Sequence, residues 1–490
     1  MHSIEEAVQD KRHGFLHHST YAWLLVGIFI VTLPLSNPWV RGDGVGYYAF
    51  ARSMLIEHRL DFTNDWLHAN NSFRMNKSDA QGNIDPEEYT ATGHLNNHFA
   101  VGSAILWSPF LLATHATVLL YDKAGGNVPP DGYSKPYIVA MAFSTALYGF
   151  LALLISFALA RRYVDEAWAF LATLGIWFGS SLPVYMYFNP SWSHADSAFA
   201  VALFLWYWSR ARDARTAAQY LVLGALAGLM LDVYYINVAL LVFPLIEWLG
   251  QFRSRQTHAA QKLNRILRDC ALFALATLAA FLPTLIAKKI IYGSFLNFGY
   301  TEHWYWRSPA FFKVCFSADH GLFTWTPILI LAVIGIFLLR NYDQQLGNCS
   351  LAAFLVYLYA IGCYQDWHGI SSYGNRFFVA LTPLFILGLV AFLGRLAQAW
   401  QRRRARAFAW AATALFVVWN LGLVFQWGMH LIPERGPISW RAAAYNQVAV
   451  VPVEMAGVTK TYLTRRTSMM NRIEQQDVQQ LKAEAGEGKE

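Results

Sequence analysis

The sequence predicts an all-α, polytopic transmembrane bundle of about eleven spans, with a large first external loop that contains interface helices. Hydrophobic residues make up 56% of the 490 residues and charged residues only 14%, which is too apolar for a soluble protein of this length. Apolar runs of roughly twenty residues, the length needed to cross the hydrocarbon layer as a helix, recur along the chain. Lys and Arg fall in short clusters between these runs, as is typical of cytoplasmic loops.

Eleven runs are apolar enough to be assigned as spans. They are 21–40, 137–160, 167–188, 195–210, 218–233, 236–250, 270–291, 321–340, 349–364, 376–395 and 408–430. If these spans alternate in direction, every basic cluster, from Lys11 and Arg12 to the arginines of 402–406, lies on the cytoplasmic side. The net charge of +7 is then a topological signal, and nucleic acid is not expected as a partner.

This topology divides the chain into three parts. Residues 1–20 are a cytoplasmic N-terminal segment, 21–430 the transmembrane domain, and 431–490 a polar external tail. The last twenty residues of the tail have no apolar pattern, and we expect them to be a mobile helix or disordered.

The first external loop, 41–135, contains a further apolar run at 99–121. A full crossing there would invert every later loop and place the basic clusters outside. The run is therefore interpreted as a helix in the outer interface, interrupted at Pro109. The alternative, a true crossing balanced by a further span elsewhere, stays open.

The same loop opens with an acidic residue among glycines. Asp43 follows the first span directly and stands between Gly42 and Gly44, ahead of a segment in which Tyr47 and Tyr48 have helical spacing. An ionisable side chain so close to a bilayer is costly and therefore indicates a functional site. A carboxylate in this position suits a general base that removes a proton from an acceptor hydroxyl. The alternative role is a helix cap.

Most of the other unusual polar clusters also fall on the external side. Arg376 opens a span in QDWHGISSYGNRF, and its planar guanidinium matches phosphate oxygens, although it could also extend to lipid headgroups. Three histidines complete the predicted phosphate-binding set, namely His98, His320 and His368. The predicted substrate groove consists of Tyr47, Tyr48, Trp192, His194, Asp232, Asp319, Asp366, Trp367 and Tyr373. For His194 and Asp232 a structural role in a turn is the alternative.

No metal or cofactor is expected from these motifs. His94 and His98 have the i, i+4 spacing that could bind zinc on a helix, but no third ligand follows at a motif distance. The external loops also lack an Asp-x-Asp pair.

Four stretches of the chain resemble the GT-C superfamily, the integral-membrane glycosyltransferases that use polyprenyl-phosphate-linked sugars. They are GDGVGYYAFAR, FAVGSAILWSPF, GLFTWTPILILAVIG and WHGISSYGNRFF. Within the superfamily, the chain is similar to the bacterial protein mannosyltransferase and aminoarabinose transferase group. The resemblance implies that Asp43 is the catalytic base and that His98 contacts phosphate. The chain departs from the family where Gly44 replaces the second acid of an Asp-Glu pair, and where Asn97-His98-Phe99 replaces a Lys-Pro-Pro or His-Pro-Pro sequence.

Residues and resemblance together predict an inverting hexosyl- or pentosyltransferase. It would move a sugar from an undecaprenyl-phosphate-type donor to a hydroxyl of a lipid or glycan acceptor. The expected place is the outer, periplasmic face of the bacterial cytoplasmic membrane, in contact with membrane lipid. Two alternatives stay open: a transporter or flippase for a lipid-linked glycan, and an O-antigen-ligase-like enzyme with a pyrophosphate-linked donor.

Overall fold

The computed structural model describes residues 19–79, 81–210, 212, 215–253 and 259–487. These residues are predominantly helical, and within them the extended backbone forms only isolated bridges. The predicted all-α class is therefore confirmed. The predicted N-terminal segment, 1–20, lies almost entirely outside the described residues.

Twenty α-helices follow one another in this part of the chain. They are α1 (Thr20–Thr32), α2 (Asp43–Arg52), α3 (Thr63–His68), α4 (Asn71–Met75), α5 (Gly102–Lys123), α6 (Lys135–Ala160), α7 (Glu166–Gly179), α8 (His194–Arg210), α9 (Ala217–Val233), α10 (Val242–Arg253), α11 (Ala259–Tyr292), α12 (Phe311–Phe316), α13 (Leu322–Trp325), α14 (Ile328–Leu339), α15 (Gln344–Cys363), α16 (Thr382–Ala399), α17 (Arg402–Gly428), α18 (Trp440–Ala449), α19 (Val451–Thr464) and α20 (Arg466–Glu487). Short 3₁₀ or π segments extend several of them, including Val184–Phe188, Tyr235–Leu241 and Arg376–Leu381.

Each of the eleven predicted spans overlaps at least one of these helices, although 321–340 is divided into two helices and 21–40 is helical only to Leu35. By length and composition, seven helices in the described part of the chain could cross a membrane. They are Gly102–Lys123, Lys135–Ala160, Tyr235–Arg253, Gln261–Tyr292, Gln344–Cys363, Arg376–Ala399 and Arg403–Gly428. The chain is thus a polytopic, helical integral membrane protein.

Helix packing agrees with the predicted alternation of spans. The helices α9 and α11 have the same predicted direction, and they pack in parallel, since Gly224 lies against Phe273 and Gly228 against Thr277. In both contacts the glycine faces backbone atoms of the other helix. Small residues permit this close approach, which is a common way to associate helices in lipid.

The run 99–121 differs from its prediction, because α5 continues through Pro109 without interruption. Proline cannot donate to the carbonyl of Ile105, but the Ser108 hydroxyl donates to that carbonyl instead, at 2.7 Å. The helix begins at the outer rim of the bundle, where the Val101 N–H donates to Thr284 Oγ1 near the end of α11. It then runs antiparallel to α6, and Trp107 Nε1 donates to Thr145 Oγ1 at 2.8 Å.

The C-terminal tail also differs from expectation. Its last described helix, α20, folds back onto the first external loop, where Glu474 accepts hydrogen bonds from the Asn70 side chain and the Ser72 N–H. One turn of helix further on, Asp477 pairs with Arg41 at 2.6 Å. The described part of this segment is thus a helix anchored to the loop 41–135.

Candidate active site

A cavity of about 270 Å³, lined by charged, polar and aromatic side chains, lies at one end of the bundle. Its wall is formed by the segment 41–99, by the turn before α8, by the loop before Arg376, by Trp427 at the end of α17 and by the C-terminal tail. Asp43, His98, Trp192 and Arg376 all line it. These four predicted site residues, distant in sequence, therefore meet in one space.

Asp43 is the first residue of α2, and local backbone geometry explains its position. Gly42 precedes it with φ +53°, a left-handed conformation that favours glycine, and a Cβ on Gly42 would lie 3.2 Å from the Trp192 ring. No side chain caps this helix at Gly42. Asp43 is thus not the cap that was the alternative interpretation, and its carboxylate lies where the helix dipole favours negative charge.

Arg376 pairs directly with this carboxylate. Its Nη1 lies 2.9 Å from Asp43 Oδ2, and its guanidinium carbon lies 4.5 Å from the centroid of the Trp192 ring. The indole in turn donates from Nε1 to the Arg41 carbonyl at 3.0 Å. The arginine is therefore held between an aromatic face and an acid, with its charged end at the cavity.

The opposite end of α2 is anchored by a buried ion pair. Arg52 is 2% exposed and binds Asp65 through two bonds, Nε to Oδ1 at 2.6 Å and Nη2 to Oδ2 at 3.0 Å. Glu57 accepts a further bond from Arg52 at 2.7 Å. A bidentate pair of this kind fixes both side chains, and it holds the helix that carries Asp43.

Several predicted groove residues lie behind the cavity wall. Tyr47 is buried with its ring 4.5 Å from that of Phe99, which lines the cavity. His194 is buried behind Trp192, with their ring centroids 6.0 Å apart. Both residues shape the wall from the protein side, and neither reaches the open space.

Three further predicted groove residues make contacts within the fold. The Tyr48 hydroxyl donates to the Gly132 carbonyl at 2.6 Å, and the buried Tyr373 hydroxyl bonds Asn420 Oδ1 at 2.8 Å. Asp232 is fully buried at the end of α9, where Gly102 packs against its backbone. These groups serve contacts between helices and loops and do not line the groove.

The predicted phosphate-binding histidines are separated in the structure. His98 lines the cavity, whereas His320 is fully buried against Trp325 next to Asp319, with a ring-centroid distance of 4.9 Å. Burial lowers the pKa of His98 to about 3 and that of His320 to about 4. Both imidazoles are thus neutral at pH 7, and they cannot attract phosphate by charge.

The predicted residues Asp366, Trp367 and His368 lead into the cavity wall without lining it. The wall itself is formed by the next residues, Gly369, Ile370 and Ser371. His368 Nδ1 accepts a hydrogen bond from the Ile370 N–H at 3.1 Å. These three side chains shape the loop that leads to Arg376.

Sequence reasoning did not identify several charged residues of the wall. They are Arg41, Lys77, Glu434, Arg435 and Asp477. Arg41 directly precedes the GDGVGYYAFAR stretch, so its position beside Asp43 was a usable signal. The residues of the tail gave none, because a polar segment without periodicity does not reveal which side chains fold back.

One group of side chains in the described part of the chain has ligand atoms close enough to hold a metal ion: His430, Glu434 and Asp477, within 4.8 Å of one another. Glu434 and Asp477 belong to the cavity wall. His94 and His98 make separate contacts: His94 Nδ1 bonds Thr92 Oγ1 at 3.1 Å, and the His98 ring packs against Tyr300.

Comparison with known proteins gives a distant structural likeness. No protein-family model and no curated protein matches the chain. Among solved structures, the crystal structure of ArnT from Cupriavidus metallidurans bound to undecaprenyl phosphate resembles 84% of this chain and 71% of that chain. The two are 14% identical, with a TM-score of 0.43. The functional argument therefore rests on the residues of this integral membrane protein itself.

Proposed function

We propose that the protein is a GT-C-type, inverting membrane glycosyltransferase that moves a sugar from a polyprenyl-phosphate donor to a hydroxyl of a lipid or glycan acceptor. The observation that carries the proposal is the Asp43–Arg376 pair, which places an acid and a fixed cation 2.9 Å apart in a polar cavity. A general base and a phosphate-binding group are the two functions that this reaction needs.

In the proposed reaction, Asp43 accepts the proton of the acceptor hydroxyl. The hydroxyl oxygen then forms a bond to the anomeric carbon from the face opposite the phosphate, and the bond between that carbon and the phosphate oxygen breaks. The leaving phosphate keeps the electron pair. Arg376 stabilises the growing negative charge, and its planar donors match two phosphate oxygens.

The ion pair stabilises the charge of Arg376 when no donor phosphate is bound. A cation so little exposed needs an anionic partner, which Asp43 supplies. When a donor phosphate binds Arg376, it takes over this role, and the carboxylate is released to act as a base. Donor binding and activation of the base are thus coupled in the proposed mechanism.

The position of the cavity suits a lipid-linked substrate. It lies where α8 begins and where the segment Arg376–Leu381 leads into α16, so it is level with these helix ends. The basic residues Arg161, Arg210 and Arg340 lie at the opposite ends. With those ends cytoplasmic, the cavity faces the periplasm of a bacterial inner membrane, where a prenyl phosphate headgroup would lie.

The experiment uses purified protein in liposomes that contain sugar-labelled undecaprenyl phosphate and candidate acceptors. Asp43→Asn keeps the shape of the side chain and removes the base, so we expect transfer to fall by about 100-fold or more. Asp61→Asn is the matched control. Asp61 is an acid of the same loop, but its carboxylate accepts a hydrogen bond from the Thr63 N–H and does not line the cavity. Transfer by Asp43→Asn at the wild-type rate would reject the proposed base. Lipid translocation without transfer by the wild-type protein would favour the flippase alternative.

A further inference from the structure

The C-terminal tail brings three potential metal ligands together from two separate segments. His430 and Glu434 lie in the turn after α17, and Asp477 lies on α20. His430 Nε2 is 3.1 Å from Asp477 Oδ1 and 3.3 Å from Glu434 Oε1. From this arrangement we infer that His430, Glu434 and Asp477 form a divalent metal site at the rim of the cavity. The site is separate from the proposed transfer chemistry.

The two carboxylates approach the same imidazole nitrogen, as ligands of a single metal ion would. Here both carboxylate oxygens converge on Nε2, and Nδ1 has no partner among the described residues. A metal on Nε2 can bind both oxygens.

The distances agree with shared coordination. Ligand atoms about 2.1 Å from a zinc ion, at angles between tetrahedral and right-angled, are roughly 3.0–3.4 Å apart. The two observed separations, 3.1 and 3.3 Å, fall within this range.

The surroundings of the three ligands also favour a metal. Arg41 Nη2 binds the other oxygen of Asp477, Oδ2, at 2.6 Å, which orients the carboxylate and leaves Oδ1 directed at His430. Such outer contacts are typical of metal ligands. Two carboxylates balance a divalent ion, and an imidazole in the set favours Zn²⁺ or a similar transition metal over Mg²⁺.

The site has an open side. Three protein ligands leave at least one coordination position free, and both Glu434 and Asp477 belong to the cavity wall. Water or an oxyanion such as phosphate would fill this position from the cavity. The metal would also tie α20 to the turn after α17 and so hold the C-terminal wall in place.

The test measures Zn²⁺ binding to chelator-treated, full-length protein in detergent, without a polyhistidine tag, by competition with a chromophoric chelator. The chain has 15 histidines, so the difference between wild type and variants is the readout. Glu434→Gln keeps an oxygen that can accept a hydrogen bond from His430 but removes a ligand charge. We expect this variant to lose one high-affinity equivalent, or at least tenfold in affinity. His430→Gln should lose the same equivalent.

Two controls make the result decisive. His303→Ala removes an exposed imidazole elsewhere on the external face and should leave binding unchanged. Arg41→Gln keeps all three ligands but removes the contact that orients Asp477, so it should weaken binding without abolishing the equivalent. Absence of a high-affinity site in the wild type, or unchanged binding in both Glu434→Gln and His430→Gln, would show an ion-pair cluster only. Because no donor is present, this failure is distinct from failure of the Asp43 assay.

Discussion

Arg376 Nη1 lies 2.9 Å from Asp43 Oδ2, so the first external loop and the start of a late span meet through two charged atoms. The two residues are far apart in the sequence, so local structure alone does not bring them together. Asp43 is placed by the turn at Gly42, and Arg376 by the face of Trp192. The pair therefore requires the whole bundle to be assembled, and it offers a direct way to test the proposed site.

Replacement of Arg376 by Lys keeps the charge but removes the planar fork and the stacking on Trp192. We expect the kcat/KM for transfer from the prenyl-phosphate donor to fall by roughly 10- to 100-fold, the range for loss of a charged hydrogen bond. Arg376→Gln should fall further, since it also removes the charge. The measurement is steady-state transfer against donor concentration, and a Lys variant as active as wild type would contradict bidentate phosphate binding.

A methyl group added at Gly44 has no room, because its Cβ would overlap the side chain of Ser191. We expect Gly44→Ala to displace the first turn of α2, to destabilise the protein by about 1–3 kcal/mol and to reduce transfer. Gly27→Ala is the matched control, since nothing lies within 4 Å of its Cβ position. Adding Ser191→Gly to Gly44→Ala should restore part of the thermal stability in detergent; no recovery would mean that the contact is not the cause.

The buried pair of Arg52 and Asp65 should dominate the stability of the first external loop. Asp65→Ala leaves the Arg52 charge without its bidentate partner, and we expect a loss of about 3–5 kcal/mol in unfolding free energy. Arg59→Ala is the control, because that arginine is 53% exposed and its ion pairs should contribute at most about 1 kcal/mol. Thermal unfolding of the loop, monitored by limited proteolysis at increasing temperature, compares the two variants with the wild type. Equal losses would show that burial of the pair is unimportant.

The low pKa of His98 predicts a pH dependence of stability. Burial lowers this pKa to about 3 in the folded protein, while the unfolded chain has an ordinary value near 6.5. Between these values the unfolded state binds one more proton than the folded state, so stability falls as the pH decreases from about 6 to 4. The slope from one group is at most about 1.4 kcal/mol per pH unit.

His98→Asn removes this titration, so its unfolding free energy should depend less on pH over the same range than that of the wild type. Denaturant unfolding at pH 4, 5 and 6 measures the difference. His303→Asn serves as the control on an exposed imidazole. Parallel pH profiles for wild type and His98→Asn would contradict the buried, neutral state.

The fold was predictable because membrane insertion imposes strong rules on sequence. Apolar length marks each span, and the basic clusters fix its direction, so the alternation follows without any knowledge of packing. Pro109 shows where these rules fail. Whether a proline ends a helix depends on what satisfies the freed carbonyl, and the Ser108 hydroxyl that does so here carries no recognisable pattern.

The candidate site was predictable in part for the same reason. Asp43 and Arg376 stood out because a charge next to the bilayer is costly, and the structure places them together. Aromatic residues carried no comparable signal: Tyr373 belongs to the same loop as Arg376, but its hydroxyl is directed at Asn420. Side-chain direction within a loop is set by packing, and the sequence alone does not specify it.

The contribution of α20 to the cavity has a consequence for biosynthesis. Asp477, Gln480 and Leu481 follow every other part of the wall in the order of translation. A chain that ends after α17 would therefore lack one side of its pocket. The proposed transfer reaction would then depend on synthesis of the final helix.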